Sequence, residues 1–318
     1  MKKDPSLLYM INKILPLSTY YDKISQYLNL NNNLETGLIS KAFCDGIRKI
    51  LREYVLFINQ LEIEFNIDNL DIQKLWYLSQ PSLRLLENLQ RLCYQASLIK
   101  GGNLLNVIYG FYQNTTDTEL KGMYKLLLDK AFEPYLVRIR LWVCKGLLED
   151  KYDDFMIVSN SEYSKENLAE HYLDFYWDKK FLLNKENVPE FINIVADKIL
   201  FIGKALNVLL ESGNIVYCPY EAEFEVFKNQ SLFDVEVSNN FQHLIDKTYE
   251  WTNSTLITLF FKEENIVSII KSMKKFYLME CGDFFTHMID LADELLLQPK
   301  NTISFEKLVK YLSNNKCI

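Results

Sequence analysis

The sequence is poor in the residues that break helices. Its 318 residues include only 10 glycines and 7 prolines, whereas these two types together make up roughly 12% of average proteins. Tight turns between strands depend on glycine and proline, so this scarcity argues against a many-stranded sheet or barrel. It favours long helices joined by short connections.

Long hydrophobic runs and basic clusters are also missing. No apolar run reaches the roughly 18 residues that a membrane-spanning helix needs, so we expect no membrane insertion. The formal net charge is −7, and the densest basic cluster is the short KSMKK at 271–275. Because a nucleic-acid surface needs clustered lysine and arginine to neutralise phosphates, we expect no nucleic-acid partner.

The cysteines and glycines carry no signature of a metal, disulfide or phosphate site. Six cysteines lie far apart, without a CxxC pair or zinc-like Cys/His spacing, at positions 44, 93, 144, 218, 281 and 317. Such cysteines are typical of reduced, mostly buried thiols in a cytosolic protein. The glycines of GGNLLNVIYG (101–110) match neither GxGxxG nor GxxxxGK[ST]. We therefore expect no metal and no cofactor.

Apolar residues recur with a helical period along most of the chain. In the stretch that begins at Thr116, one helix face is formed by Leu120, Met123, Tyr124, Leu127, Leu128, Ala131 and Tyr135. Thr116 and Glu119 have capping-box spacing, and we expect Pro134 to kink or end this helix. The candidate strands are FMIV (155–158) and NIVYC (214–218). The pattern predicts an all-α fold of roughly ten to twelve helices.

One stretch, KFYLMECGDFFTHMIDLADELL (275–296), gathers side chains with chemical potential. These are Cys281, Asp283, His287, Asp290 and Glu294. On a helix capped by Asp283, the acidic residues and His287 share the face opposite an apolar stripe. This face could be a metal or acid–base strip, but one helix rarely completes a metal shell and no second His or Cys cluster could close it. Cys281 as a nucleophile would lack an oxyanion hole. A solvated or partner-facing stripe is the favoured interpretation, with no catalytic residue.

Several ordered blocks resemble the gamma-tubulin complex component family. In AFEPYLVRIRLWVCKGLLEDKYDDFMIV (131–158), the matching positions are Pro134, Tyr135, Trp142, Gly146, Asp150, Tyr152, Asp154 and Phe155. In SMKKFYLMECGDFFTHMIDLADELL (272–296), they are Gly282, Asp283, Phe284, His287 and Asp290. The blocks HYLDFYWDKKFLL (171–183) and VPEFINIVADKILFIGKALNVL (188–209) extend the resemblance to nearly the whole chain. LDIQKLWYLSQPSLRLLENL (70–89) is most similar to the component 2 branch.

Two positions depart from the family pattern. Lys151 stands where the family usually has proline, and Cys281 stands where glutamine is common. A cysteine is therefore not required at position 281, which agrees with a non-catalytic interpretation. The aromatic motif residues Tyr135, Trp142 and Phe155, with Tyr152, are expected to pack in the core around Pro134, because large aromatics spaced along helices usually face inward.

The resemblance implies an elongated stack of small helical bundles that acts as a scaffold and is not an enzyme. It implies an N-terminal domain with the first grip motif over 1–265, and a truncated beginning of the C-terminal domain over 266–318. The N-terminal domain would pack laterally against component 3, and the resulting ring would template microtubule nucleation. Gamma-tubulin would bind through the largely missing C-terminal half, so we expect this chain alone to bind it weakly or not at all.

The implied location is the cytoplasm and cytoskeleton, at a microtubule-organising centre or spindle pole. Two alternatives remain open from the residues themselves. A generic helical tethering or adaptor protein would have the same composition but no tubulin partner. An all-helical enzyme would use the stripe that contains Asp283 and His287.

Overall fold

The structure is a computed structural model that describes residues 5–32, 36–160, 176–213, 217–227, 230–231, 233–263, 266–280 and 282–297. The chain forms two compact units, Met1–Asn253 and Ser254–Ile318. Helices dominate the described ranges, and the strands found there form one two-stranded sheet. The predicted all-α class is therefore confirmed. The domain boundary expected at residue 265 stays a prediction.

The first unit contains nine whole helices and the greater part of a tenth in its described part. The first six are α1 (Pro5–Ile14), α2 (Pro16–Leu30), α3 (Leu38–Asn66), α4 (Ile72–Ala96), α5 (Gly102–Asn114) and α6 (Thr118–Lys145). They are followed by β1 (Ile157–Ser159), α7 (Tyr176–Lys180), β2 (Phe181–Leu183), two 3-10 turns (Lys185–Asn187 and Glu190–Ile192), α8 (Asn193–Glu211), α9 (Glu221–Val226) and α10 (Val235–Thr258). The division between the units falls inside α10.

Helix α6 is the centre of the first unit, since it packs against α3, α5, α8 and α9. Its buried residues lie on several faces and include Tyr124, Leu128, Tyr135, Ile139 and Trp142. A helix that carries apolar residues on several faces needs several neighbours to bury them. The long apolar pattern after Thr116 therefore predicted the helix against which four others pack.

Two details of α6 differ from the sequence prediction. The cap is Asp117, whose side chain accepts a hydrogen bond from the Glu119 N–H at 3.1 Å, and not Thr116. Pro134 does not end the helix, which continues to Lys145, and a kink at Pro134 stays a prediction. Proline removes one intrahelical donor, but the packing of α6 against four neighbours outweighs that local loss.

The small sheet is antiparallel and covers one side of α8. Ile157 lies opposite Leu183, and Ser159 lies opposite Phe181, while β2 packs against α8. The 155–158 candidate strand is thus present from Ile157 onward. Most of the 214–218 candidate lies outside the described residues.

The second unit contains a π-helical turn (Leu259–Glu263), α11 (Ile266–Phe276) and α12 (Gly282–Leu296) in its described part. Helix α12 begins at Gly282, one residue before the predicted cap Asp283, and the Thr286 hydroxyl donates to the Gly282 carbonyl at 2.9 Å. In the described ranges of both units, no helix has the length and hydropathy required to cross a membrane.

Candidate functional site

The aromatic motif residues of α6 are buried and hold the following loop in place. Tyr135 and Phe155 are both 0% exposed, and their ring centroids lie 5.1 Å apart. The Tyr135 hydroxyl donates to the Asn187 carbonyl at 3.0 Å and also hydrogen-bonds with the backbone of Met156. Burial raises the pKa of the Tyr135 phenol well above its ordinary value, so the hydroxyl stays protonated as a donor. One side chain therefore joins α6 to two segments distant in sequence.

We expect Tyr135→Phe to lower the free energy of unfolding by about 1–2 kcal/mol, because it leaves the buried Asn187 carbonyl without its donor. Urea denaturation of the purified full chain measures this effect. Tyr124→Phe is the control, since Tyr124 is 1% exposed on the same helix and no hydrogen bond of its hydroxyl is found in the described part of the chain. Equal losses in the two variants would contradict a role for the Tyr135 hydrogen bond.

Trp142 fixes α6 against α8. Its indole is 0% exposed, and Nε1 donates to the Ile199 carbonyl at 2.9 Å. The close approach depends on Gly203, because a Cβ at that position would overlap the indole ring. The Phe181 ring also packs against the indole in a T-shaped arrangement, with ring centroids 4.9 Å apart. Trp142 is therefore packed between α8 and β2.

Gly146 ends α6 and turns the chain toward the acidic loop. It has a left-handed φ of 65°, and its N–H donates to the Trp142 carbonyl at 3.0 Å. The Leu147 N–H donates to the Leu141 carbonyl at 3.3 Å. This is a Schellman-type end, for which glycine is favoured because it has no Cβ to oppose a positive φ.

A buried ion cluster lies beneath that loop. Arg138 is 6% exposed, and its guanidinium Nη2 and Nη1 lie 3.1 Å from Asp150 Oδ1 and 3.7 Å from Asp154 Oδ2, respectively. The Phe155 N–H donates to Asp150 Oδ2 at 2.8 Å, so the loop folds back on Asp150. The buried carboxylates of Asp150 and Asp154 depend on the positive charge of Arg138, because an unpaired charge is very costly in the protein interior.

Asp154 extends this cluster to two more helices. Its carboxylate accepts hydrogen bonds from the backbone of Leu38 and Ile39 at the start of α3. Its carbonyl accepts from the Gly102 N–H, at the start of α5, at 3.0 Å. Burial raises the pKa of the Asp154 carboxyl, and Arg138 together with the α3 N–H groups partly opposes that rise. Asp154 thus caps α3 and ties it to α5 and α6, where a negative charge also complements the helix dipole.

Sequence reasoning missed several partners of the motif residues. One is Gly37, which directly precedes α3 and at which an added Cβ would overlap the Asp154 carboxylate. The other partners are Arg138, Asn187 and Gly203. None belongs to a local motif, since each meets its partner only through tertiary packing. Tyr152 is half-buried at the margin of this core, with the Lys41 ammonium 5.6 Å from its ring centroid.

The later motif block has a different environment. Gly282, Asp283 and His287 are exposed on α12, as is Asp290. Cys281 and the side chains of Phe284 and Glu294 lie outside what the structure describes. Within the described ranges, no group of three or more His, Cys, Asp and Glu side chains could hold a metal ion.

An apolar groove lies between α1, α2, α3 and α4 in the first unit, and we call it the α1–α4 groove. It has a volume of about 570 Å³ and is lined mainly by apolar side chains, among them Ile11, Ile14, Leu17, Val55, Ile58 and Ile72. Three of them remain more than two-fifths exposed: Ile11 at 43%, Val55 at 42% and Ile58 at 41%. An adjoining pocket shares Tyr21 and Val55 and adds Arg48 and Arg52. Such a groove suits the apolar face of an amphipathic helix.

Residues 2–263 match the family model described as gamma tubulin complex component N-terminal. The chain belongs to the gamma-tubulin complex component family. It is 30% identical to gamma-tubulin complex component 2 of Mus musculus, over 96% of this chain and 33% of the relative. It is 29% identical to component 2 of Arabidopsis thaliana, over 97% of this chain and 45% of the relative. It is 25% identical to component 3 of Homo sapiens, over 92% of this chain and 33% of the relative. The chain thus spans a third to less than half of the length of these relatives. The resemblance inferred from the motif blocks is confirmed.

Proposed function

We propose that this chain is a scaffold subunit of a gamma-tubulin complex and helps to template microtubule nucleation at a microtubule-organising centre or spindle pole. The observation that carries the proposal is the match of residues 2–263 to the N-terminal family model. The relative named spindle pole body component alp4 of Schizosaccharomyces pombe, 26% identical over 95% of this chain, supports the cellular location. In this proposal the chain has a structural role and carries out no catalysis.

The packing of the first unit suits such a role. Four helices pack against α6, and the buried Arg138 cluster fixes the starts of α3 and α5 relative to it. Interlocked long helices resist deformation, so a load applied at one face is transmitted to another. The motif residues in this core, including Pro134, Tyr135, Trp142, Gly146 and Phe155, therefore serve to keep the scaffold rigid.

The proposed partner is a component 3 protein that packs laterally on the first unit. Component 3 of Homo sapiens aligns with 92% of this chain, so a component 3 partner would contain an N-terminal unit of related helical fold. Such a partner can offer an amphipathic helix with anchors at i, i+3, i+4 and i+7, and the α1–α4 groove provides an apolar floor for them. Arg52, exposed beside the groove, would favour an acidic flank on that helix.

We expect the paired substitution Val55→Glu and Ile58→Glu to weaken binding of purified component 3 by at least about tenfold, because two carboxylates would be buried against an apolar helix. Titration with labelled component 3 from the same source measures the affinity. Both side chains are partly exposed, so the free chain should remain folded, as checked by circular dichroism. Ile194→Glu is the control, since Ile194 is 76% exposed on α8, away from the groove lining.

Two outcomes would contradict parts of this proposal. If wild-type chain does not bind component 3 at all, the scaffold assignment fails and a generic helical tether becomes the better hypothesis. If binding is normal but insensitive to Val55→Glu with Ile58→Glu, the lateral partner stands and the groove assignment fails. Gamma-tubulin remains part of the proposal through the C-terminal half of the family fold, and we assign residues 266–318 to the beginning of that half.

A further inference from the structure

Two cysteines that are distant in sequence meet where α9 packs against α6. Cys144 lies in the last turn of α6 and is 2% exposed, and Cys218 lies just before α9 and is 9% exposed. Both are free thiols, and their side chains hydrogen-bond with each other. Nothing in their sequence spacing pairs them, so the contact is a product of the fold.

Flanking interactions hold the two thiols in this position. The Arg140 guanidinium lies 2.6 Å from the Glu225 carboxylate, and the Lys145 ammonium lies 3.0 Å from the Glu221 carboxylate. Both ion pairs connect α6 with α9, on either side of Cys144 in sequence. Because the segments are already held together, a bond between the sulfurs requires little loss of chain freedom beyond folding itself.

Cys218 differs from Cys44, Cys93 and Cys144, because among the described cysteines it alone has a thiol whose pKa is lowered. The hydrogen bond from Cys144 lowers the pKa of the Cys218 thiol, with a further contribution from the Tyr220 N–H. Burial raises the pKa of Cys44 to about 11 and also raises that of Cys93. The thiolate is the form that reacts with oxidants. Cys218 is therefore the described cysteine best suited to begin an oxidation, with a second thiol in contact.

We propose that Cys144 and Cys218 form a reversible intramolecular disulfide on exposure to a peroxide, joining the end of α6 to the segment before α9. The Cys218 thiolate attacks a peroxide oxygen, which gives a sulfenic acid and releases hydroxide. The Cys144 sulfur then attacks the sulfenic sulfur, the S–S bond forms and water leaves with the Cys144 proton. Overall, two thiols lose two hydrogens and hydrogen peroxide becomes two waters. A dithiol reductant reverses the step by exchange.

Peptide mapping of the folded full chain tests this directly. The protein is treated with hydrogen peroxide, free thiols are alkylated, and tryptic peptides are analysed without reduction. We expect one linked species that joins LWVCK (141–145) to the peptide 205–228. Its mass should equal the summed mass of the two reduced peptides minus two hydrogens. It should be at least about tenfold more abundant than any species containing Cys44 or Cys93, whose thiols lack a lowered pKa. Dithiothreitol should abolish it.

Variants and an unfolded control decide whether the fold causes the reaction. Cys218→Ser should abolish the linked species, and Cys93→Ser should leave its yield unchanged. In urea, where α6 and α9 separate, the yield should fall to that of the other cysteine pairs. The proposal is overturned if Cys144 remains alkylatable while Cys218 is oxidised further, or if linkage is as efficient in urea as in the folded chain.

Discussion

Replacing Arg138 with methionine should lower the free energy of unfolding by about 3–5 kcal/mol, because it leaves buried carboxylates without their cation. Asp150 and Asp154 have side chains that are 7% and 3% exposed, so water cannot take over the role of the guanidinium. Methionine preserves much of the side-chain volume, so the loss reports the missing charge rather than a cavity. Urea denaturation of the full chain, monitored by circular dichroism, measures it.

The same variant should show a characteristic dependence on pH. In the wild type, the pKa of the Asp154 carboxyl is already raised by burial, and Arg138 opposes that rise. Without Arg138 the folded-state pKa rises further above the unfolded value of 3.8. A carboxyl with a raised folded pKa contributes stability that is present below the unfolded pKa and is lost as pH rises through the folded pKa. The deficit of Arg138→Met should therefore shrink toward pH 4 and grow toward neutrality.

Arg140→Met is the matched control for this experiment. Arg140 lies one half-turn further along α6 and pairs with Glu225, but that carboxylate is 67% exposed. Removing such an ion pair should cost at most about 1 kcal/mol, because water solvates the remaining charge. If Arg138→Met and Arg140→Met lose similar amounts, or if the deficit of Arg138→Met does not change with pH, the buried cluster does not anchor the loop as described.

The sequence predicted the helices more reliably than their connections. The three- and four-residue steps after Thr116 identified α6 because an apolar period is a local property of the chain. The cap moved to Asp117, since neighbouring polar residues compete for the same backbone donors and only geometry selects one. Pro134 failed to end the helix because packing of α6 on four neighbours exceeds the cost of one missing hydrogen bond.

The motif residues illustrate what sequence could not supply. Family resemblance identified Asp154, but its partners at the starts of α3 and α5 are defined only after the chain folds. Arg138 looked like an ordinary charged helix position, and a buried ion pair has no local pattern that marks it. Gly203 falls in the same class, because nothing in its neighbours along α8 indicates that an indole from α6 lies against it.

Gly203→Ala should destabilise the fold by about 3 kcal/mol, the upper part of the range for overpacking a rigid core. The added Cβ would overlap the Trp142 indole, which cannot yield because Nε1 is hydrogen-bonded to Ile199 at 2.9 Å and the ring is 0% exposed. Either the indole leaves its hydrogen bond or α8 moves away from α6. Urea denaturation gives the loss, and tryptophan fluorescence reports any change around the indole.

Gly122→Ala provides a control with the opposite expected sign. Gly122 is an exposed position of α6, and a Cβ there would meet no atom within 4 Å. Alanine loses less backbone freedom than glycine on forming a helix, so this change should stabilise the chain by about 0.5–1 kcal/mol. The same chemical change thus lowers stability where α6 meets α8 and raises it on the open side of α6. If Gly203→Ala also stabilised the protein, helix propensity would dominate at both positions, and the contact between Trp142 and Gly203 would not determine how closely α8 packs on α6.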